Sequence, residues 1–116
     1  MSKKRDITLF LQDIIEDIQR IKRFTAHLKS ADELQSDDLV FYAVLKALEN
    51  IGEAVKKIPE DLRNLYAIDW KKITGLRNIL THEYFGVDSE ILWQVLKEKL
   101  PELEKAVLFL IQIVEK

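Results

Sequence analysis

The sequence predicts an all-α protein: a bundle of four main helices plus short helical pieces. Apolar residues recur at spacings of three and four along most of the 116-residue chain, and no run alternates at period two for long enough to form a strand. The chain has only three Gly and two Pro, and it shows neither an internal repeat nor a linker. We therefore expect one domain, residues 1–116, built around a single hydrophobic core.

The composition narrows the class of protein. It is 47% apolar and 33% charged, which is typical of a folded domain, and the lack of cysteine excludes disulfides and thiolate metal sites. The longest mostly apolar run, Ala106–Val114, is about half as long as a bilayer span, and the first residues do not resemble a signal peptide. We expect a soluble, cytoplasmic protein without membrane contact. A net charge of −2 argues against broad coating of nucleic acid but leaves room for a local basic site.

The first two helices follow from their apolar stripes. The stripe of the first contains Ile7, Phe10, Leu11, Ile14, Ile18, Ile21 and Leu28. The polar stretch 29–38 breaks this period, and Ser36 or Asp37 is expected to cap a second helix from about Asp38 to Lys57. The main stripe of the second contains Val40, Val44, Ala47, Ile51, Val55 and Ile58. Further apolar residues widen its arc to roughly 200°, so this helix is either central or in contact with a second subunit.

Capping residues and prolines divide the second half of the chain. Pro59 is predicted at the first position of a short helix. Asp69 is predicted to cap a third main helix, from Trp70 to about His82, which ends before a turn at Gly86. Asp88 is predicted to cap a fourth helix that carries Ile91, Leu92, Val95 and Leu96. The fifth is predicted to open at Pro101, with Leu103, Val107, Leu110 and Val114 in heptad-like spacing. Trp70 and Trp93 are expected in the core, and His27, Glu49 and Glu53 at the surface.

The third helix has an unusual polar face. That face is mostly small and uncharged, and it includes Gly75, which costs about 1 kcal/mol of helix stability relative to Ala. Such a surface suits close approach by a ligand or another backbone. Arg77 and His82 are five residues apart, about 140° around an ideal helix, so they would form two walls of a groove on this face. If two copies packed these faces across a two-fold axis, one cleft would receive Arg77 and His82 from each copy.

This residue set suits one kind of chemistry better than others. Around His82 we find neither a second histidine nor a pair of carboxylates to hold a metal, nor a nucleophile setting or a glycine-rich phosphate loop. Imidazole and guanidinium without metal suit cleavage of RNA, in which one His deprotonates the 2′-OH, another protonates the leaving oxygen, and Arg neutralises the phosphorane. From spacing alone a second interpretation stays open: Arg77 and His82 satisfy helix-end carbonyls, and Tyr84 is a half-buried core aromatic.

A resemblance favours the first interpretation. Residues 77–84 match the pattern R-x-x-x-x-H-x-Y, with the polar Asn78 directly after the arginine. With the blocks Ile51–Arg63, Ile68–Asp88 and Leu100–Val107, the sequence resembles the HEPN superfamily, most closely its HepT-like branch. The resemblance implies a HEPN-type up-and-down helical bundle. It also implies a homodimer in which the motifs of two protomers line one cleft.

The resemblance also implies a function. The protein would be the toxin of a toxin–antitoxin pair, a metal-independent endoribonuclease without a cofactor, with Arg77 and His82 catalytic and Asn78 supporting them. Its antitoxin would be a minimal nucleotidyltransferase that transfers AMP from ATP to Tyr84. The alternative is a non-catalytic HEPN subunit whose role is to bind such a nucleotidyltransferase.

Overall fold

The computed structural model describes residues 3–75 and 88–115, which are helical apart from short turns and include no strand. The all-α class is therefore confirmed. The helices are α1 (Lys3–Thr25), α2 (Ala31–Ser36), α3 (Asp38–Lys56), α4 (Glu60–Arg63), α5 (residues 70–75), α6 (Ser89–Gln94) and α7 (Leu100–Glu115), and the π-helical segment Val95–Lys99 joins the last two. Of the predicted third main helix, only α5 lies within the described residues.

The core forms where α1 packs between α3 and α7. The predicted stripe of α1 is confirmed in its central part, where Leu11, Ile14 and Ile18 have no exposed surface. Leu28 is also buried, but it lies beyond the end of the helix, where its N–H donates to the carbonyl of Thr25 at 2.9 Å. Each buried Leu or Ile side chain stabilises the fold by about 1.5–3 kcal/mol relative to an exposed one. No helix among the described residues is both long and apolar enough to cross a membrane.

The stretch predicted as a polar break contains α2. Ser30 caps this helix by accepting a hydrogen bond from the N–H of Glu33 at 3.2 Å, and the Glu33 carboxylate accepts one from the N–H of Lys29 at 3.3 Å. Its two apolar residues, Ala31 and Leu34, are three apart and both buried. The prediction was wrong because two buried side chains hold a helix whose other residues are polar.

The wide apolar arc of α3 is covered largely within the chain. Its flanking residues Leu45 and Leu48 are each 1% exposed, and α3 packs against both α1 and α2. The arc therefore does not by itself require a second subunit. The cap of α3 is Asp37 rather than Ser36, since the N–H of Val40 donates to the Asp37 carboxylate at 3.1 Å.

The predicted fourth and fifth helices form one continuous helical run, with no break at Pro101. Proline lacks an N–H, and in a regular helix its ring collides with the carbonyl four residues earlier. In the π-helical segment just before it, the N–H of Leu100 donates to the carbonyl of Val95, five residues back, so the wider turn accommodates the ring. The cap at Asp88 is confirmed by its 2.8 Å bond from the N–H of Glu90. Of the apolar residues predicted on this helix, Leu92 and Leu96 are buried, whereas Ile91 is 61% exposed.

Candidate functional site

The sequence-predicted site residues Arg77, Asn78, His82 and Tyr84 lie outside the described residues, as does the predicted turn at Gly86. Their roles therefore stay predictions. The structure does describe the chain that leads into the motif: the end of α3, α4, the turn after it, and α5.

Local hydrogen bonds and one buried indole hold the start of α5. The Asp69 carboxylate accepts a bond from the N–H of Lys72 at 3.2 Å, which confirms the predicted cap. Trp70 is 8% exposed, and its indole N–H donates to the carbonyl of Tyr66 at 3.0 Å. Because Trp70 and the buried Ile73 both belong to the core, α5 enters the motif from a fixed position.

The turn before α5 is fixed against α7. Pro59 directly precedes α4, and its carbonyl accepts the N–H groups of Leu62 and Arg63 at 3.1 and 3.0 Å. After α4, the ring of Tyr66 packs against that of Phe109 in α7, with 5.4 Å between the ring centroids. This contact holds the end of α4, and with it Arg63, beside α5.

The outer side of α5 is open. Lys71 and Lys72 are exposed, and the hydroxyl of Thr74 donates to the carbonyl of Lys71 at 3.0 Å. A Cβ atom added at Gly75 would meet no described heavy atom within 4 Å. The described part of the chain therefore supplies no close neighbour that demands glycine here.

Two cations converge on this open side. A cavity of about 270 Å³, which we call the basic groove, is lined by Lys56, Arg63, Thr74 and Gly75. Lys56 ends α3 and Arg63 ends α4, and neither forms an ion pair in residues 3–75 and 88–115. The Arg63 Nε–H is buried without a hydrogen-bond partner there. Leaving such a donor unpaired costs about 1–3 kcal/mol, which an acceptor from a ligand would offset.

The sequence reasoning missed the basic groove. Lys56 also complements the dipole at the end of α3, and this local role explains its charge without any site. The only signal was the expectation that an acidic protein could still hold a local basic site. Nothing in the sequence pattern pairs Lys56 with Arg63, because Pro59 and a change of chain direction separate them.

A second cavity, which we call the acidic groove, lies between α1 and α3. Its lining residues are Phe10, Asp13, Glu16, Asp17, Arg20, Asn50, Glu53, Ala54 and Lys57. Burial raises the pKa of the Asp17 carboxyl, although the Arg20 guanidinium 3.0 Å away acts in the opposite direction. The Lys57 ammonium lies 5.2 Å from the centre of the Phe10 ring. Glu49 and Glu53 are half-buried, which corrects the expectation of a solvated surface.

The remaining predictions concern isolated residues. His27 is exposed as predicted, and its Nε2 atom lies 3.6 Å from a carboxylate oxygen of Asp37. Trp93 is half-buried against the core, with the Lys97 ammonium 4.6 Å from its ring centre. Among the residues described, no group of three His, Cys, Asp or Glu side chains could hold a metal ion.

Comparison with known proteins identifies the family. Residues 14–109 match the family model described as "Ribonuclease HepT-like". The chain is 42% identical over 105 residues to "Putative RNase MJ1380" of Methanocaldococcus jannaschii, covering 90% of this chain and 95% of that protein. It is also 42% identical over 102 residues to "Probable ribonuclease HepT" of Thermococcus cleftensis, covering 87% and 92% of the two chains.

A more distant relative also has a ribonuclease name. "Putative RNase TTE0752" of Caldanaerobacter subterraneus subsp. tengcongensis is 36% identical over 108 residues, covering 89% of this chain and 92% of that protein. No solved structure matches the chain. The matched region spans the helical core except Leu11 and Leu110, both grooves except Phe10 and Asp13, and the R-x-x-x-x-H-x-Y motif. The chain belongs to the HepT-like ribonuclease family of the HEPN superfamily.

Proposed function

We propose that the protein is a metal-independent endoribonuclease that acts in the cytoplasm as the toxin of a toxin–antitoxin pair. The observation that carries this proposal is the family match over residues 14–109, which includes an intact R-x-x-x-x-H-x-Y motif. The ribonuclease names of relatives more than 40% identical over nearly their whole length support it.

The chemistry uses side chains alone. An imidazole takes the proton of the 2′-OH, the 2′ oxygen attacks phosphorus, and the bond from phosphorus to the 5′ oxygen breaks as a second imidazole donates a proton to that oxygen. The products are a 2′,3′-cyclic phosphate and a 5′-OH. Arg77 stabilises the charge on the pentavalent phosphorane, and Asn78 supports it.

Cleavage of RNA by the purified protein in EDTA tests this function. We expect wild-type cleavage, and a loss of about 10²–10⁴-fold in His82→Ala, because one proton-transfer role is removed. Arg77→Ala should lose activity too, and Arg77→Lys should recover only part of it, because lysine lacks the planar fork. Cleavage that requires Mg²⁺, or a 3′-OH product, would contradict the mechanism.

The two imidazoles require two copies of the chain, so the proposal includes a homodimer across the α5 face. The open surroundings of Gly75 make this testable: a Cβ atom there meets no described neighbour of its own chain within 4 Å, so Gly75→Leu should disturb packing between chains more than folding. We expect light scattering to show a dimer for the wild type and a weakened one for Gly75→Leu, with equal melting of the monomers. A wild-type monomer at micromolar concentration would contradict the dimer.

Regulation by a minimal nucleotidyltransferase antitoxin completes the proposal. Transfer of AMP to the Tyr84 phenol adds bulk and negative charge two residues from His82, which would repel an RNA phosphate. With the antitoxin and ATP, the wild type should gain the mass of AMP, while Tyr84→Phe should stay toxic and escape neutralisation. Tyr42 is a fair competitor because it is 44% exposed. AMP found on Tyr42, with Tyr84 unmodified, would overturn the assignment.

A second function is favoured by the net charge of −2. An acidic protein attracts RNA poorly, which suits a non-catalytic subunit that binds the nucleotidyltransferase. Expression of the protein alone separates the two functions. Toxicity that His82→Ala abolishes supports the ribonuclease; no toxicity and no cleavage, with stable binding of the nucleotidyltransferase, supports the subunit.

A further inference from the structure

We infer that Lys56 and Arg63 form a subsite for one backbone phosphate of the RNA, next to the phosphate that is cleaved. This inference rests on the proposed ribonuclease function and adds to it two residues outside the R-x-x-x-x-H-x-Y motif. They come from two different helices, α3 and α4, and converge on the basic groove.

The positive charges in the basic groove favour the binding of an anion. Among the described residues, two cations and no acidic side chain line the groove, and neither cation has an ion-pair partner. The buried Arg63 Nε–H has no acceptor there either. A planar guanidinium forms short, charge-assisted hydrogen bonds to phosphate oxygens, and a lysine ammonium adds a point charge. One phosphate would therefore relieve both the repulsion and the unpaired donor.

The size of the groove limits the ligand. Its volume of about 270 Å³ is below the range of about 300–1,000 Å³ that is usual for pockets enclosing a drug-sized ligand. The other described lining residues are small and neutral, and the Thr74 hydroxyl already donates its proton to the Lys71 carbonyl. The groove therefore suits a phosphate group held by its charge, rather than a whole nucleotide recognised by its base.

Covalent geometry places the basic groove close to the motif. Gly75 lines the groove and precedes Arg77 by two residues. Consecutive Cα atoms are about 3.8 Å apart, so the Cα atom of Arg77 cannot be more than about 7.6 Å from that of Gly75. A strand whose reacting phosphate lies at Arg77 would therefore bring a neighbouring phosphate to the basic groove, where it would position the strand without reading its sequence.

Salt-dependent binding of a single-stranded DNA oligonucleotide tests the subsite in the full-length protein. This probe carries the phosphates but lacks the 2′-OH, so it cannot be cleaved by the proposed reaction. Each cation removed from a phosphate should reduce the slope of log K against log salt by about 0.7. We expect that reduction for Lys56→Gln and for Arg63→Gln, with about fourfold weaker binding at 0.15 M salt. The double variant should also lose about 0.7, because both side chains are needed to hold the same phosphate and removing either one already loses that contact.

Matched controls exclude effects of net charge and folding. Lys46→Gln removes the same charge from an exposed site on α3 and should leave the slope unchanged. Arg63→Lys keeps the charge and should keep the slope, which guards against misfolding of Arg63→Gln. Equal slopes in Lys56→Gln, Lys46→Gln and wild type would overturn the subsite. A slope reduced by about 1.4 in the double variant would also overturn it, because the two cations would then contact two separate phosphates. A lower melting temperature of Lys56→Gln with unchanged binding would assign Lys56 to the α3 dipole instead.

Cleavage of RNA by the wild type, measured in parallel, separates this inference from the proposed function. If the wild type cleaves RNA while both single variants bind and cleave like Lys46→Gln, the inference fails and the ribonuclease stands. If the wild type does not cleave but DNA binding still depends on Lys56 and Arg63, the ribonuclease fails and the phosphate subsite stands.

Discussion

The acidic and basic grooves meet at the end of α3, where the neighbouring residues Lys56 and Lys57 line different ones. In the acidic groove three of the charged residues have partners that the structure shows: Asp17 pairs with Arg20, and Lys57 lies over the Phe10 ring. In the basic groove, Lys56 and Arg63 have no ion-pair partner among the described residues. The difference teaches that a charge already partnered within the chain is occupied there, whereas an unpartnered pair of like charges is available to a ligand.

The largest change in the free energy of unfolding is expected from a substitution in the core rather than in either groove. Ile51 lies on the buried side of α3 and is 1% exposed, so Ile51→Ala should lower the free energy of unfolding by about 2–5 kcal/mol through lost burial and a cavity. Lys56→Gln on the same helix should change it by no more than about 0.5 kcal/mol. Urea unfolding measures both. An equally large loss in Lys56→Gln would mean that the basic groove is a structural element.

Charge reversal tests the contrast between the grooves directly. Lys56→Glu and Glu16→Lys each change the net charge by two, in opposite directions. Lys56→Glu should weaken binding of the DNA probe about tenfold at 0.15 M salt, since it removes one phosphate contact and adds a repulsion. Glu16→Lys should not strengthen binding by a comparable factor, because it lies in the acidic groove. Equal and opposite changes would show that overall charge alone governs binding.

The pH dependence of stability tests the acidic groove. Burial raises the pKa of Asp17 above the unfolded value of 3.8. Between pH 3.8 and the raised pKa, the folded state holds a proton that the unfolded state releases. Stability therefore falls as pH rises through this range. Asp17→Asn mimics the neutral form. It should melt a few degrees above wild type at pH 7, with the advantage lost at pH 3. Glu98→Gln, which removes a carboxylate from an exposed site, is the matched control.

The smallest of these effects, a change in the free energy of unfolding, is expected from Glu104, a charged residue with partners that lies outside both grooves. Glu104 of α7 accepts hydrogen bonds from Lys22 at 2.6 Å and from Gln19 at 3.0 Å, which links α7 to α1. The Lys22 side chain is 50% exposed, so Glu104→Gln should lower the free energy of unfolding by only about 0.2–1 kcal/mol. High salt should remove most of the difference in urea unfolding. A loss that persists in high salt would point to packing of the Glu104 stem rather than to its charge.

Much of the fold could be read from the sequence. Helices α1 and α3 follow from apolar residues at three-and-four spacing, and the caps at Asp69 and Asp88 follow from single side chains beside a periodic run. The prediction failed at α2, where only Ala31 and Leu34 carry the buried side, and at Pro101, where a π-helical turn replaced the expected break. The two failures have different reasons: at α2 two buried side chains outweighed the polar composition, and at Pro101 the wider π-helical turn accommodated the proline ring.

For the candidate site, the sequence by itself determined the motif of Arg77, His82 and Tyr84, since spacing along the chain needs no structure to be read. It also determined the entry into that motif, because the Asp69 cap is a hydrogen bond between residues three apart. Only the tertiary structure decided that Lys56 and Arg63 share one groove and that Lys57 belongs to the other. That assignment depends on the turn after Pro59 and on the packing of Tyr66 against Phe109, a contact between residues far apart in the chain that no local pattern encodes.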